Sequence, residues 1–213
     1  MGRMAVLLSS ILFVIAFGVV GCGVGGDPAV AVVNDKEIGR GQLQERLDQI
    51  IPAYEAQGVA LDEATMGTLE QQVLDEMITE EMLIQNAAQE GFTAADEDVQ
   101  AQYDQLASQA GEAFNQQMEE QELTPETIRG LIARQLSIQQ YLESKVEGAD
   151  IQVTDADVQT FYDQYKAQGG ESVPPLEELR TQIVAQLEQQ EEGEFVQAFI
   201  ADLKAQSNIE VLL

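Results

Sequence analysis

The chain has 213 residues and carries 10 Lys+Arg against 38 Asp+Glu, a formal charge of −28. It has no His, no Trp and one Cys, which excludes a Ser-His-Asp triad, an imidazole or Cys-rich metal site and an internal disulfide. So acidic a chain is repelled by nucleic-acid phosphates, while 45% hydrophobic residues argue for a folded core rather than global disorder.

Residues 1–22 read MGRMAVLLSSILFVIAFGVVGC. Arg3 precedes an apolar run from Ala5 to Val20 that is short for a bilayer-spanning helix and has the length of a secretory h-region. Val19-Val20-Gly21-Cys22 resembles the lipobox of bacterial lipoproteins. That likeness implies a signal peptide over 1–21, cleavage before Cys22 and acylation of Cys22 itself. Residues 22–28 then read as the lipidated Cys and a short flexible tether. Removing residues 1–21 removes Arg3 and no acid, so the mature chain carries 9 − 38 = −29. Anionic lipid repels such a chain, and attachment rests on the acyl groups. Position 6 is Val6, so Gly2 is not a myristoylation signal.

Ala29–Val33 is a short β-branched segment, Asn34-Asp35 a turn, and Lys36-Glu37-Ile38 a returning strand. Residues 40–57 form a helix with Leu43, Leu47, Ile50 and Ile51 on one side, which Pro52 should kink or end. Asp62 caps a long helix from Glu63 to Gln89, stopped by Gly91. Its apolar stripe is Met66, Leu69, Val73, Met77 and Ile78, then Met82, Leu83 and Ile84. A further helix starts near Asp96 and is interrupted at Gly111. A short one spans Glu112 to Gln121.

Thr124-Pro125-Glu126 opens another helix with an N-cap, a first-turn Pro and a first-turn acid. Its wide apolar face comprises Ile128, Leu131, Ile132, Leu136, Ile138 and Leu142, and it ends near Gly148. Thr154 and Asp157 form a capping box with Asp in place of Glu. Val158, Phe161, Tyr162 and Tyr165 follow at i, i+3, i+4 and i+7. After Gly169-Gly170 and Pro174-Pro175, residues 176–204 are helical, with Gly193 as a candidate bend. Residues 209–213 read as a strand. Two β segments at opposite ends of a helical chain are expected to pair and close the domain. Segments 95–111 and 154–170 echo one another (ADEDVQAQYDQLASQAG and TDADVQTFYDQYKAQGG); with no third copy, they are two similar helix starts rather than a solenoid.

The acid clusters Asp96-Glu97-Asp98 and Asp155-Ala156-Asp157 invite a metal reading. Counted from Asp96, the sixth and twelfth positions of a calcium loop fall on Ala101 and Ala107, so the loop fails, and first-turn capping is the better account. Met66, Met77, Met82, Met118, Tyr54, Tyr103 and Phe114 form the domain's own core or an adaptable apolar surface. The regular stripe favours the core for Met77 and Met82. Phe114 and Met118, at i and i+4 in the polar stretch EAFNQQMEEQ, stand out as a patch on a short arm. Phe114, Met118, Tyr103 and Met66 are the candidate contact residues for a polypeptide ligand.

In order, the segments are DPAVAVVNDKEI, QQVLDEMITEEMLIQNAAQEGF, ADEDV, ELTPETIRGLIARQLSIQQYLESKV, VTDADVQTFYDQYK, and a closing helix with NIEVLL. Over residues 29–213 this resembles the chaperone domain of the SurA/PrsA family of extracytoplasmic foldases. The resemblance implies a mainly helical client-binding domain over 29–213, with a small β element. The helix and strand of 175–213 would complete it. It implies unfolded or newly secreted polypeptides as partners, outer-membrane proteins among them, on the extracytoplasmic side of a bacterial membrane, and no cofactor. Many members insert a parvulin-type prolyl isomerase before the closing helix. Here only AQGGESVPP lies between Lys166 and Leu176, and the chain has no His, so the resemblance implies the chaperone module without that enzyme. An adaptor lipoprotein binding one dedicated envelope partner is the other reading of the same features.

Overall fold

A computed structural model describes residues 27–120, 123–170 and 173–213. Cys22, the signal peptide and most of the tether lie outside these residues. Strand β1 (Ala29–Val33) occupies the middle of a three-stranded antiparallel sheet, between β2 (Lys36–Gly39) and β3 (Ile209–Val211). The expected pairing of distant β segments is therefore present, with the last strand covering 209–211 rather than 209–213. The helices among the described residues are α1 (Arg40–Ala56), α2 (Glu63–Gln89), α3 (Asp96–Ala110), α4 (Glu112–Glu120), α5 (Pro125–Gly148), α6 (Asp155–Gly169) and α7 (Leu176–Gln206). The fold is mainly α with a small sheet.

The described residues divide into two compact units, one of 27–141 with 203–213, the other of 142–202. In the first, Val30, Ala31 and Val33 of β1 are fully buried, as is Met82 of α2. β-branched residues suit a strand covered by helices. Asn34 makes the turn into β2 with φ 54°, a left-handed conformation that Asn tolerates. Its side chain donates to Gln85 Oε1 at 2.7 Å and accepts from the Asn208 N–H at 3.1 Å, and its own N–H donates to the Asn208 carbonyl at 2.7 Å. Turn, α2 and the entry to β3 are thus joined at one residue.

Asp27, at the end of the expected tether, lies over the start of α1 and accepts from the Gly41 N–H at 3.0 Å. A Cβ on Gly39 would lie 2.1 Å from the Asp27 carboxylate, so any larger residue there would push that carboxylate off the helix start. α1 runs through Pro52 and ends one turn later. Near a helix end the missing N–H removes one intrahelical bond and leaves few others to disturb.

The expected caps form. Asp62 accepts from the Thr65 N–H at 2.8 Å, and Thr124 Oγ1 accepts from the Thr127 N–H at 3.1 Å. Tyr141 of α5 is buried and tilted against Phe92, with ring centroids 5.7 Å apart. Burial, with Glu90 beside it, pushes its phenol up to about 12. Ser137, the buried polar residue of α5, is satisfied: it accepts from the Ala94 N–H at 2.9 Å and donates to the Ala133 carbonyl at 2.7 Å.

In the second unit, Val158, Tyr162 and Ile183 form a core with Phe161, Leu176, Leu179 and Leu187 packed against it. Tyr162 donates to the Pro174 carbonyl at 3.0 Å, which ties α6 to the residue two before α7. Tyr165, expected on the same face, is 49% exposed. α7 continues through Gly193 as one helix. The echoed segments are α3 and α6, and the Val at the same position of each, Val99 and Val158, is buried.

Two outcomes follow. Asn34→Ala should lower stability by about 2 kcal/mol in urea unfolding, and Asn34→Gly by about 1, because glycine keeps the left-handed turn and loses only the side-chain bonds. The Thr154 hydroxyl and N–H hold Asp157 below the usual carboxylate range. A depressed folded-state pKa means the cap stabilises above the unfolded value, about 3.9, and is lost as pH falls through the lower folded value. Thr154→Ala should raise the Asp157 pKa toward about 3.9 in an NMR titration of the carboxylates.

Candidate functional site

Three of the four candidate contact residues come together. α3 ends at Gly111 and α4 begins at once, so the chain doubles back over a cluster of Ala94, Val99, Leu123, Ile128 and Ile132. Tyr103, Phe114 and Met118 pack against that cluster and are half-buried. Tyr103 and Phe114 meet edge to face, with centroids 5.6 Å apart and planes at 80°. The i, i+4 pair on α4 therefore turns toward α3 and the start of α5, and each ring or thioether keeps part of its surface in water. Such an aromatic pair contributes about 0.5–1.5 kcal/mol beyond its buried area.

Arg129 of α5 locks the arrangement. Its guanidinium lies 4.5 Å from the centre of the Tyr103 ring, and its Nε donates to Gln100 Oε1 at 2.9 Å. A face of Tyr103 is thereby occupied by a cation in a chain with few of them. Met66 lies apart from this group, half-buried in the first turns of α2. Near that end of α2, Tyr54, Thr65, Thr68 and Leu69 line a shallow hollow of about 320 Å³.

A second cleft, of about 190 Å³, is built from four elements. Ile38 of β2, Met77 of α2 and Leu131 of α5 supply its apolar lining, and its charged lining includes Arg46, Glu80 and Arg134. Arg46 Nη2 lies 3.5 Å from Glu80, and Arg134 lies 3.4 Å from Glu80 and 3.3 Å from Glu81. Its polar lining is of charged groups and one amide, Gln42, beside the three apolar side chains. Sequence periodicity placed Met77 on the core stripe; the structure leaves it half-buried at the cleft wall. No local pattern signals a cleft whose walls come from residues 36 to 134.

Among the described residues no group of three or more acids, Cys or His is placed to hold a metal. Asp96, Glu97 and Asp98 occupy the first turn of α3, and Asp155 and Asp157 that of α6. Asp155 is paired with Arg180. Among the described residues no helix is long and apolar enough to cross a membrane.

The family model of the SurA-like N-terminal domain matches residues 2–142. Among curated proteins, the chain is 35% identical over 135 residues to a "Chaperone SurA" of Chromobacterium violaceum, covering 62% of this chain and 31% of that protein. It is 27% identical over 145 residues to a "Chaperone SurA" of Saccharophagus degradans, covering 67% of this chain and 33% of that one. It is 27% identical over 191 residues to a "Foldase protein PrsA" of Clostridium kluyveri, covering 78% of this chain and 55% of that one. The matched region spans about a third to a half of each relative.

The half-buried cluster generates a test. Phe114→Ala should leave the sheet intact and loosen the arm, raising amide hydrogen exchange across α3 and α4 by about tenfold, the effect of losing part of an aromatic side chain from a partly exposed site. Exchange in α2 should be unchanged.

Proposed function

We propose a function from one premise: this chain belongs to the SurA-like N-terminal domain family. Our reading is that it is an extracytoplasmic chaperone that holds unfolded or newly secreted polypeptides and leaves proline isomerisation to other proteins. The observation that carries it is the cluster of Tyr103, Phe114 and Met118, half-buried on an acidic helical arm. Half-packed aromatic and thioether groups adapt to varied apolar side chains at small cost, which promiscuous binding needs. Met66 offers a further, separate contact.

The same reading takes residues 1–21 as a signal peptide, Cys22 as the lipid-bearing residue, 22–28 as the link and 29–213 as the client-binding domain, on the outer side of a bacterial membrane. Two or three acyl chains hold firmly where one does not. The names of the relatives support chaperone activity. The link between α6 and α7, only residues 170–175, supports a module without an inserted isomerase.

Light scattering of an aggregating β-barrel membrane protein tests the reading. The purified protein should suppress aggregation at near-stoichiometric amounts, for several unrelated clients. Phe114→Ser together with Met118→Ser should weaken suppression several-fold while circular dichroism stays native. Failure at large excess, with the protein folded, would refute general chaperone activity. Capture of one stoichiometric partner would then favour the adaptor reading. Mass spectrometry of the membrane fraction should find acyl groups on the wild-type N-terminus and none on Cys22→Ser.

A further inference from the structure

In the sheet order β2-β1-β3, the outer side of β3 pairs with no other strand among the described residues. Across the β1–β3 ladder, the Asn34 N–H donates to the Asn208 carbonyl at 2.7 Å and the Leu212 N–H to the Val30 carbonyl at 2.8 Å. In an antiparallel ladder, bonded pairs alternate with non-bonded ones. With Val33 opposite Ile209 and Ala31 opposite Val211, those two pairs are the non-bonded ones. The N–H and C=O of Ile209 and of Val211 therefore point away from β1, to the outside of the sheet.

The side chains continue that opening. Residues opposite one another share a face of the sheet. Ala31 is fully buried, yet its partner Val211 is 58% exposed. Leu212 and Leu213 beyond it are 45% and 49% exposed. The apolar face that helices cover under β1 thus runs out uncovered at β3. Unpaired backbone and exposed branched side chains together make a template for another strand.

We propose that the β3 edge takes up an extended apolar segment of an unfolded polypeptide as a fourth strand, paired to the backbone of Ile209 and Val211, with a basic residue placed opposite Glu210. The inference rests on the chaperone reading above and gives it a second mode of contact, through backbone bonds instead of adaptable side chains. Charge selects the occupant. Glu210 is the exposed acid of the edge, in a chain of net charge −28. A second copy is disfavoured: the two-fold register that uses both outward residues pairs Ile209 with Val211 of the copy and sets Glu210 against its own counterpart. Like charges directly opposite destabilise a ladder.

Fluorescence anisotropy with a short labelled peptide of alternating valine and lysine tests this on the full chain. Binding should weaken by about tenfold, near the worth of one charged or two neutral hydrogen bonds, when alternate peptide amides are N-methylated or when lysines become glutamates. Val211→Pro, which removes an outward N–H, should weaken it similarly. Val211→Lys, a milder change at an exposed site, covers the case in which the proline variant fails to fold. Equal binding of the methylated peptide, or undiminished binding to Val211→Lys, would overturn the proposal. So would protection of the Ile209 and Val211 amides in the free protein, which would mean that this chain or a second copy already covers the edge. Aggregation suppression that survives Val211→Lys beside a lost peptide signal would confine the edge to a subset of clients. Suppression intact with no peptide binding to wild type would refute the edge and leave the chaperone reading standing.

Discussion

Asn34 is the residue on which the first unit turns. Its left-handed φ reverses the chain from β1 into β2, and its amide side chain reaches both Gln85 on α2 and Asn208 at the entry to β3. Gln85 in turn donates to the Val33 carbonyl at 3.3 Å. One side chain thereby sets the register of a strand pair separated by 174 positions in sequence. Bringing such distant segments together carries a closure cost that local turns avoid. The central strand needs that partner, because without β3 the buried β1 becomes an edge with a row of unpaired amides.

The scarcity of cations gives the few present a structural meaning. Arg46 and Arg134 share Glu80, which draws α1, α2 and α5 together. Lys204 bonds both oxygens of Asp75 at 2.7 and 2.8 Å, fastening the last turn of α7 to α2 next to the strand pair. Within the second unit, Arg180 pairs with Asp155, and Lys145 stands over the Phe199 ring at 5.9 Å. Exposed pairs contribute little individually. Placed where helices approach, they relieve repulsion that a charge of −28 would otherwise concentrate there. Many of the other acids lie on exposed helix faces, such as Glu97, Asp98 and Glu119.

Features with local causes were legible in the sequence. Asp62, Thr124-Pro125 and Thr154 each announce a helix start through bonds within three residues, so no tertiary information is needed. The pairing of the outer β segments was legible because each was too short and too apolar to stand alone. Tyr165 was misplaced on the buried face because periodicity gives a direction around the helix axis and not the extent of the neighbour that covers it. The spacing of Phe114 and Met118 put them on one face of α4. Only the sharp turn at Gly111 decides that this face meets Tyr103. The β3 edge was readable as a strand, but its open side depends on the strand order β2-β1-β3.

Stability and the proposed recognition are drawn from different parts of the first unit. Val30, Ala31, Val33 and Met82 are wholly enclosed, and the polar groups beside them are bonded. Around the arm, by contrast, Tyr103, Leu106, Phe114 and Met118 surround a small cluster while each stays half-buried. A surface that must accept many sequences has to come from the low-stability end of the fold, since a tightly packed one has no vacancies to offer. The rigid sheet can still take part, because backbone pairing needs no repacking and reads little of the partner's sequence. If both proposals hold, a soft side-chain patch and a backbone edge in one unit solve the same problem by opposite means. The first adapts its own shape, and the second addresses what every polypeptide has in common.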